Sequence, residues 1–201
     1  MKISWHKINI KQLAAIISSH LKKNGIETVL VSGACVSVYS DNQYMSYDID
    51  LITGSSIKKI IPVLEELGFK NTGGRLFENP QCKFLIDFPA PPVSIGNEPV
   101  SKFNNLETRF GIICLLTPTD CVKDRLAAYF FWDDRQALDH AVMVAKRNRI
   151  YLQKIGKWAE KQGEIEKYEF FRKKVSIGRI DRGIKQSKMI NQGRAKGGKS
   201  W

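Results

Sequence analysis

The sequence lacks the groups that would suggest a disulfide-stapled or zinc-clustered domain. Its cysteines, Cys35, Cys82, Cys114 and Cys121, form no Cys-x-x-Cys pair and each has apolar neighbours. They are therefore read as buried reduced thiols and not as disulfides or zinc ligands. The three histidines, His6, His20 and His140, are far apart and adjoin no cysteine or acid at ligand spacing. Structural or surface positions suit them best. No apolar run approaches the length of a membrane span. Near the N-terminus the longest, Leu13 to Ile17, is shorter than a secretory core segment, so a cytoplasmic chain without membrane contact is expected. Acids are scarce as well, 20 against 32 Lys and Arg, for a net charge of +12.

What remains is organised around Val29 to Leu51, VLVSGACVSVYSDNQYMSYDIDL, and above all around Asp48 and Asp50. A strand over Tyr47 to Ile52 puts both carboxylates on one side while Ile49 and Leu51 enter the core. Acids at that spacing, about 6 to 7 Å along the backbone, can converge on one or two hard cations, since Mg²⁺ takes oxygen ligands. The plainer alternative is a solvated pair at a strand end. An EF-hand loop is excluded, because Thr53 and Lys59 stand where its glycine and its closing glutamate belong.

The length, 201 residues, suits one domain or one with a small appendage. Apolar spacing predicts a helix over Asn9 to Lys23, stopped by Asn24-Gly25, and a strand over Glu27 to Val31. A second helix, capped by Ser55 or Ser56, should run to Leu67 with Ile57, Ile60, Ile61 and Leu64 buried. Pro62 interrupts it, and an interior proline costs about 3 kcal/mol unless the helix kinks or starts late. A polar turn or hairpin follows over 69–79, then an apolar strand, Lys83 to Phe88, that carries Asp87. Pro89-Ala90-Pro91-Pro92 ends that strand, and the stretch to Phe110 reads as a loop with at most one short strand. Ile112 to Leu116 is the last strand. Thr117-Pro118-Thr119-Asp120 opens a helix, with Thr117 as cap, proline at its first position and an acid near the positive end. Two helices are expected over Leu116 to Ala145, and further ones over Tyr151 to Lys161 and Glu164 to Lys174, broken at Gly163.

A small-residue turn at Ser32-Gly33-Ala34-Cys35, an Asp-x-Asp strand and a later strand with a lone acid together resemble the nucleotidyltransferase superfamily, the fold of polymerase beta-like and CCA-adding enzymes. In that family an apolar residue, Gly, and Gly or Ser precede Asp-x-Asp by about a dozen residues. Here the turn reads Ser32-Gly33-Ala34, so either the first Gly has become Ser or the second small residue has become Ala. The Arg-x-Thr-x of many small members is Tyr44-Met45-Ser46-Tyr47. The segment Leu116 to Ala145 is also similar to the helical part of small bacterial nucleotidyltransferase-like proteins of toxin-antitoxin or phage-defence pairs.

The resemblance implies an α/β (α+β) fold, a mixed sheet flanked by helices and followed by a C-terminal helical region. Its implied divisions are a nucleotidyltransferase-like domain at 1–116, helices packed on it at 117–174, and a basic tail at 175–201. It implies Mg²⁺, two ions, held by Asp48, Asp50 and Asp87. It also implies a nucleoside triphosphate held by Ser32, Gly33, Ser46, Lys123 and Arg125. Lys123 and Arg125 read equally well as a solvated helix face, and Asp134 reads as a helix cap or as a helper of the site.

Two functions follow from the resemblance. One is Mg²⁺-dependent transfer of a nucleotidyl group to a hydroxyl on RNA, protein or a small molecule; the other is a scaffold without catalysis that binds RNA or a cognate protein. From 172 to 201 there are ten Lys or Arg against one acid, Asp181. A tail of that composition is expected to be partly disordered and to contact nucleic acid, or simply to be solvated. It also contains Gly193-Arg-Ala-Lys-Gly-Gly-Lys199-Ser200, a phosphate-loop pattern. With no apolar strand before it and no helix after it, we read that match as an accident of composition.

Overall fold

A computed structural model describes residues 3–176. The chain divides into two compact units, Met1–Ile150 and Tyr151–Trp201. In chain order the first unit contains α1 (Ile10–Lys23), β1 (Val29–Val31), α2 (Ser32–Tyr39), β2 (Asp48–Ile52), α3 (Ile57–Glu65), β3 (Lys70–Gly73), β4 (Leu76–Glu78) and β5 (Leu85–Asp87). After these come β6 (Ser94–Ile95), β7 (Glu98–Pro99), β8 (Phe103–Thr108), β9 (Gly111–Leu116), α4 (Pro118–Trp132) and α5 (Arg135–Arg147). Seven strands form one mixed sheet in the order β3-β4-β5-β2-β1-β9-β8, and β6 pairs with β7. The fold class expected from the sequence is the one observed.

Period-two alternation builds the core face of the sheet. Leu30, Ile49, Leu51, Phe77, Ile86, Ile113 and Leu115 are fully buried, each worth roughly 1.5–3 kcal/mol relative to exposure. Register keeps them level across strands: Leu30 pairs with Leu51 and Leu115, Ile49 with Ile86, and Ile86 with Phe77. α1 packs on β9, α3 on β3, and the two helices touch each other. α1 begins with a reciprocal capping box between Asn9 and Gln12, which satisfies two otherwise orphan donors.

Several expectations are corrected. Ser32 to Cys35 is the first turn of α2 and not a free turn. The segment between Pro92 and Phe110 is more ordered than its polar sequence suggests, since β8 pairs along its whole length with β9. An edge strand needs little apolar side chain, because its backbone ladder supplies the order. Pro62 lies inside α3, neither ending nor delaying it; the helix still buries Ile60, Val63 and Leu64, while Ile57 and Ile61 are only half-buried. Cys35 and Cys121 are buried free thiols, but Cys82 and Cys114 are only partly covered. Within the first unit α4 and α5 pack against α2.

The second unit is described through α6 (Leu152–Lys161) and α7 (165–176), joined at Gly163 with its positive φ of 76°. Gly156 lets the Tyr168 ring approach to where a Cβ would meet it at 3.1 Å, and the Tyr168 hydroxyl donates to the Leu152 carbonyl at 2.9 Å. The basic tail beyond residue 176 and its phosphate-loop pattern lie outside the described residues. Among the described residues no helix is long and apolar enough to cross a membrane.

Candidate active site

The face of β2 opposite the core carries Asp48, exposed, and Asp50, partly buried. β5 runs parallel to β2 with Asp48 opposite Leu85 and Asp50 opposite Asp87. Asp50 and Asp87 are therefore direct neighbours on adjacent strands, about 4.8 Å apart at the backbone. The three acids expected from the sequence thus share one face. Their proximity has an electrostatic cost. The Asp50 carboxyl is pushed up to about 6, first by burial and then by the charges of Asp48 and Asp87; a hydrogen bond from Ser32 and the charge of Arg125 act in the opposite direction.

Each acid has its own support. Ser46 Oγ donates to Asp48 Oδ1 at 2.6 Å. Ser46 is itself fixed, because its N–H donates to Ser37 Oγ at 3.0 Å and Ser37 Oγ donates to the Gly33 carbonyl at 3.3 Å. This chain of bonds ties the first turn of α2 to the acidic strand. Asp87 is held differently: Arg75 Nε stands 2.9 Å from Asp87 Oδ1, yet that buried oxygen receives no hydrogen bond. The contact is an ion pair in which the N–H does not point at its acceptor.

At the start of α2, Ser32 has φ 55°, the left-handed region that glycine enters freely. Serine therefore stands here in a backbone conformation that favours glycine, and Gly33 follows it. Gly33 is tightly enclosed, since a Cβ there would lie 2.9 Å from Ser46 Oγ and 3.4 Å from the Tyr44 hydroxyl. Tyr44 lies against His140 with ring centroids 3.9 Å apart and the planes tilted by 44°.

The two basic residues on α4 separate. Positions two apart on a helix do not share a face. Arg125 is the one whose charge reaches Asp50; it bonds Asp124 Oδ2 through Nε at 2.9 Å and Nη2 at 2.6 Å. Lys123 Nζ lies 3.8 Å from Glu98 and 3.9 Å from Asp120, acids other than the three on the sheet. Ser46, expected to bind nucleotide, is buried at 3 % exposure and turned to Asp48. Asp134 caps α5, accepting from the Ala137 N–H at 3.0 Å. Ser37 and Arg75 were not anticipated. Ser37 is the i+4 partner of Gly33 and would be found by reading 32–39 as a helix, whereas Arg75 reaches Asp87 only through long-range register.

No protein-family model matches this chain, and no curated protein sequence does. Among solved structures, an antigenic nucleotidyltransferase-like protein from Paracoccidioides brasiliensis superposes with a TM-score of 0.56 over 80% of this chain and 91% of that one, at 11% identity. The fold is nucleotidyltransferase-like. The antibiotic-resistance factor ANT(2'')-Ia also matches, in its solution structure over 90% of this chain and 97% of that one and in its crystal complex with adenylyl-2''-tobramycin over 83% and 96%. Both matches have 13% identity and a TM-score of 0.45, too low to carry an argument.

Whether this site suits a divalent cation can be judged from its donors. Three carboxylates form an oxygen-only set appropriate to Mg²⁺, and Asp87 Oδ1 is a buried acceptor without a hydrogen bond. The residue types fit. Their present orientations are not gathered: among the described residues no three His, Cys, Asp or Glu side chains converge on a point that a metal ion could fill.

Proposed function

We propose that this protein belongs to the nucleotidyltransferase superfamily and transfers a nucleotidyl group from a nucleoside triphosphate to a hydroxyl, releasing pyrophosphate. The observation that carries this reading is the register of β2 and β5, which sets Asp50 beside Asp87 on the face that also bears Asp48. A carboxyl raised to about 6 by burial and then by two neighbouring acids is unfavourable for folding, and such perturbed groups concentrate at functional sites. Asp48, Asp50 and Asp87 would hold the Mg²⁺, two ions, which when bound activates the attacking hydroxyl and offsets charge on the phosphates.

The remaining work falls to the chain. Ser46 orients Asp48, and the Ser32 hydroxyl and Arg125 favour the ionised form of Asp50. Ser32 and Gly33 present the first backbone N–H groups of α2, which suit a phosphate. Arg125 supplies the fixed positive charge of the site, and Lys123 lies further along the same helix. The acceptor is a hydroxyl of RNA, of a protein or of a small molecule, in a toxin-antitoxin or defence setting by the resemblance of the α4–α5 region.

The test is incubation with each α-labelled triphosphate, Mg²⁺, total RNA and cell lysate. Label on one class of acceptor, lost in Asp50→Asn, is expected. Absence of label from every acceptor with every nucleotide would overturn transfer and leave the non-catalytic scaffold.

A further inference from the structure

Resting on the metal-site reading, one feature of the structure still has no part in it: the guanidinium on Asp87. Arg75 sits in the turn between β3 and β4, beside Gly73 and Gly74, both at positive φ. Its backbone carbonyl accepts the Phe88 N–H at 3.2 Å, and Asn71 Nδ2 closes the turn on the carbonyls of Gly74 and Leu76 at 3.3 and 3.0 Å. The turn is thus fixed by backbone bonds that do not involve the Arg75 side chain. That side chain is 57% exposed, while the Asp87 side chain it pairs with is 13% exposed. The anchored partner is the acid; the free one is the arginine.

Leaving Asp87 costs the arginine little. Its head is solvated already and makes no hydrogen bond to Oδ1, and an ion pair with one solvated partner is weak. A cation arriving at Asp87 meets a like charge at the same oxygen, so guanidinium and metal are alternatives there. In the ungathered arrangement Asp87 Oδ1 faces Arg75 and Asp48 Oδ1 accepts from Ser46.

We propose that Arg75 is a built-in competitor for the divalent cation at Asp87, so that the third carboxylate joins the other two only when the guanidinium swings out. Arg75 is in this account a positioning residue and touches no reacting atom. It sets the cation concentration at which the site assembles.

The experiment is calorimetric titration of the full chain with Mn²⁺ alone, in the absence of nucleotide, comparing wild type, Arg75→Gln, Arg75→Lys and the double variant Arg75→Gln/Asp87→Asn, with Asp48→Asn as control. Arg75→Gln should bind Mn²⁺ about fivefold more tightly, Arg75→Lys should remain near wild type because it keeps the charge, and the double variant should lose the gain. A melting curve establishes that each variant is folded. Equal or weaker Mn²⁺ binding by folded Arg75→Gln overturns the competition. If that occurs while Asp48→Asn still loses Mn²⁺, the metal-site reading stands without it; if no variant, wild type included, binds Mn²⁺, both fall.

Discussion

At the first turn of α2 and on the paired strands β2 and β5, sequence and geometry part company in opposite ways. At the turn the residue type is at odds with the backbone, with Ser32 in a conformation that favours glycine, φ 55°. Such a residue stores about 1–2 kcal/mol of strain. The strands carry three acids on one face, but among the described residues these carboxylates do not converge, and Asp48 and Asp87 contact Ser46 and Arg75 instead. A strained conformation can be sustained where its residue gains a partner, as the Ser32 hydroxyl does on Asp50. Retained acids, by contrast, do not assemble on their own, because like charges repel until a cation joins them.

The largest effect should come from removing charge on the strands. Asp48→Asn or Asp50→Asn keeps nearly the same shape and should lower nucleotidyl transfer by about 10³-fold or more, with the circular dichroism spectrum unchanged. Transfer at the wild-type rate in both variants would remove the acids from the chemistry. Smaller is the effect of Gly33→Ala, whose added Cβ displaces Ser46 Oγ from its place beside Asp48. A loss of roughly 1 kcal/mol in denaturant midpoint and about a tenfold drop in kcat are expected, and Ser46→Ala should reproduce the activity loss without the crowding. Ser32→Gly is subtler still. It relieves the positive φ, stabilising by up to about 1 kcal/mol, but removes the hydrogen bond that restrains Asp50, whose titration should move to higher pH when followed by carboxyl NMR.

Asp50 also gives a pH dependence. Its folded-state pKa is raised from 3.8 to about 6, by burial first and the neighbouring acids second. A carboxyl raised in this way stabilises the fold while protonated; that contribution is complete below about pH 4 and lost as pH rises through about 6. A shift of this size corresponds to at most about 3 kcal/mol. Metal-free wild type should therefore lose stability relative to Asp50→Asn between pH 4 and 7, as read from paired urea melts. A constant difference across that range would remove the crowding argument.

The alternation of acid and apolar residues over Asp48 to Ile52 and the Thr117-Pro118 helix start were legible because each depends on a local pattern. So was the membership of Asp87, since a lone acid in an apolar strand has one open face to point from. The left-handed backbone of Ser32 was not, because nothing in the local sequence dictates that dihedral angle. The edge strand β8 was hidden in FNNLET, whose order comes from pairing with β9. Arg75 was beyond reach for the same reason: only the β4–β5 register, Leu76 opposite Asp87, brings its turn to the site.

Thermal melting of wild type and Asp50→Asn near neutral pH, each with and without Mg²⁺ and a saturating triphosphate, tests the central claim most directly. Without ligand the variant should melt above wild type, because a crowded buried charge has been removed. Ligand should then raise wild type by several degrees and leave the variant unmoved. A variant that melts below wild type, together with ligand shifts that are equal in the two proteins or absent from both, would contradict the assignment of these acids as a metal–nucleotide site.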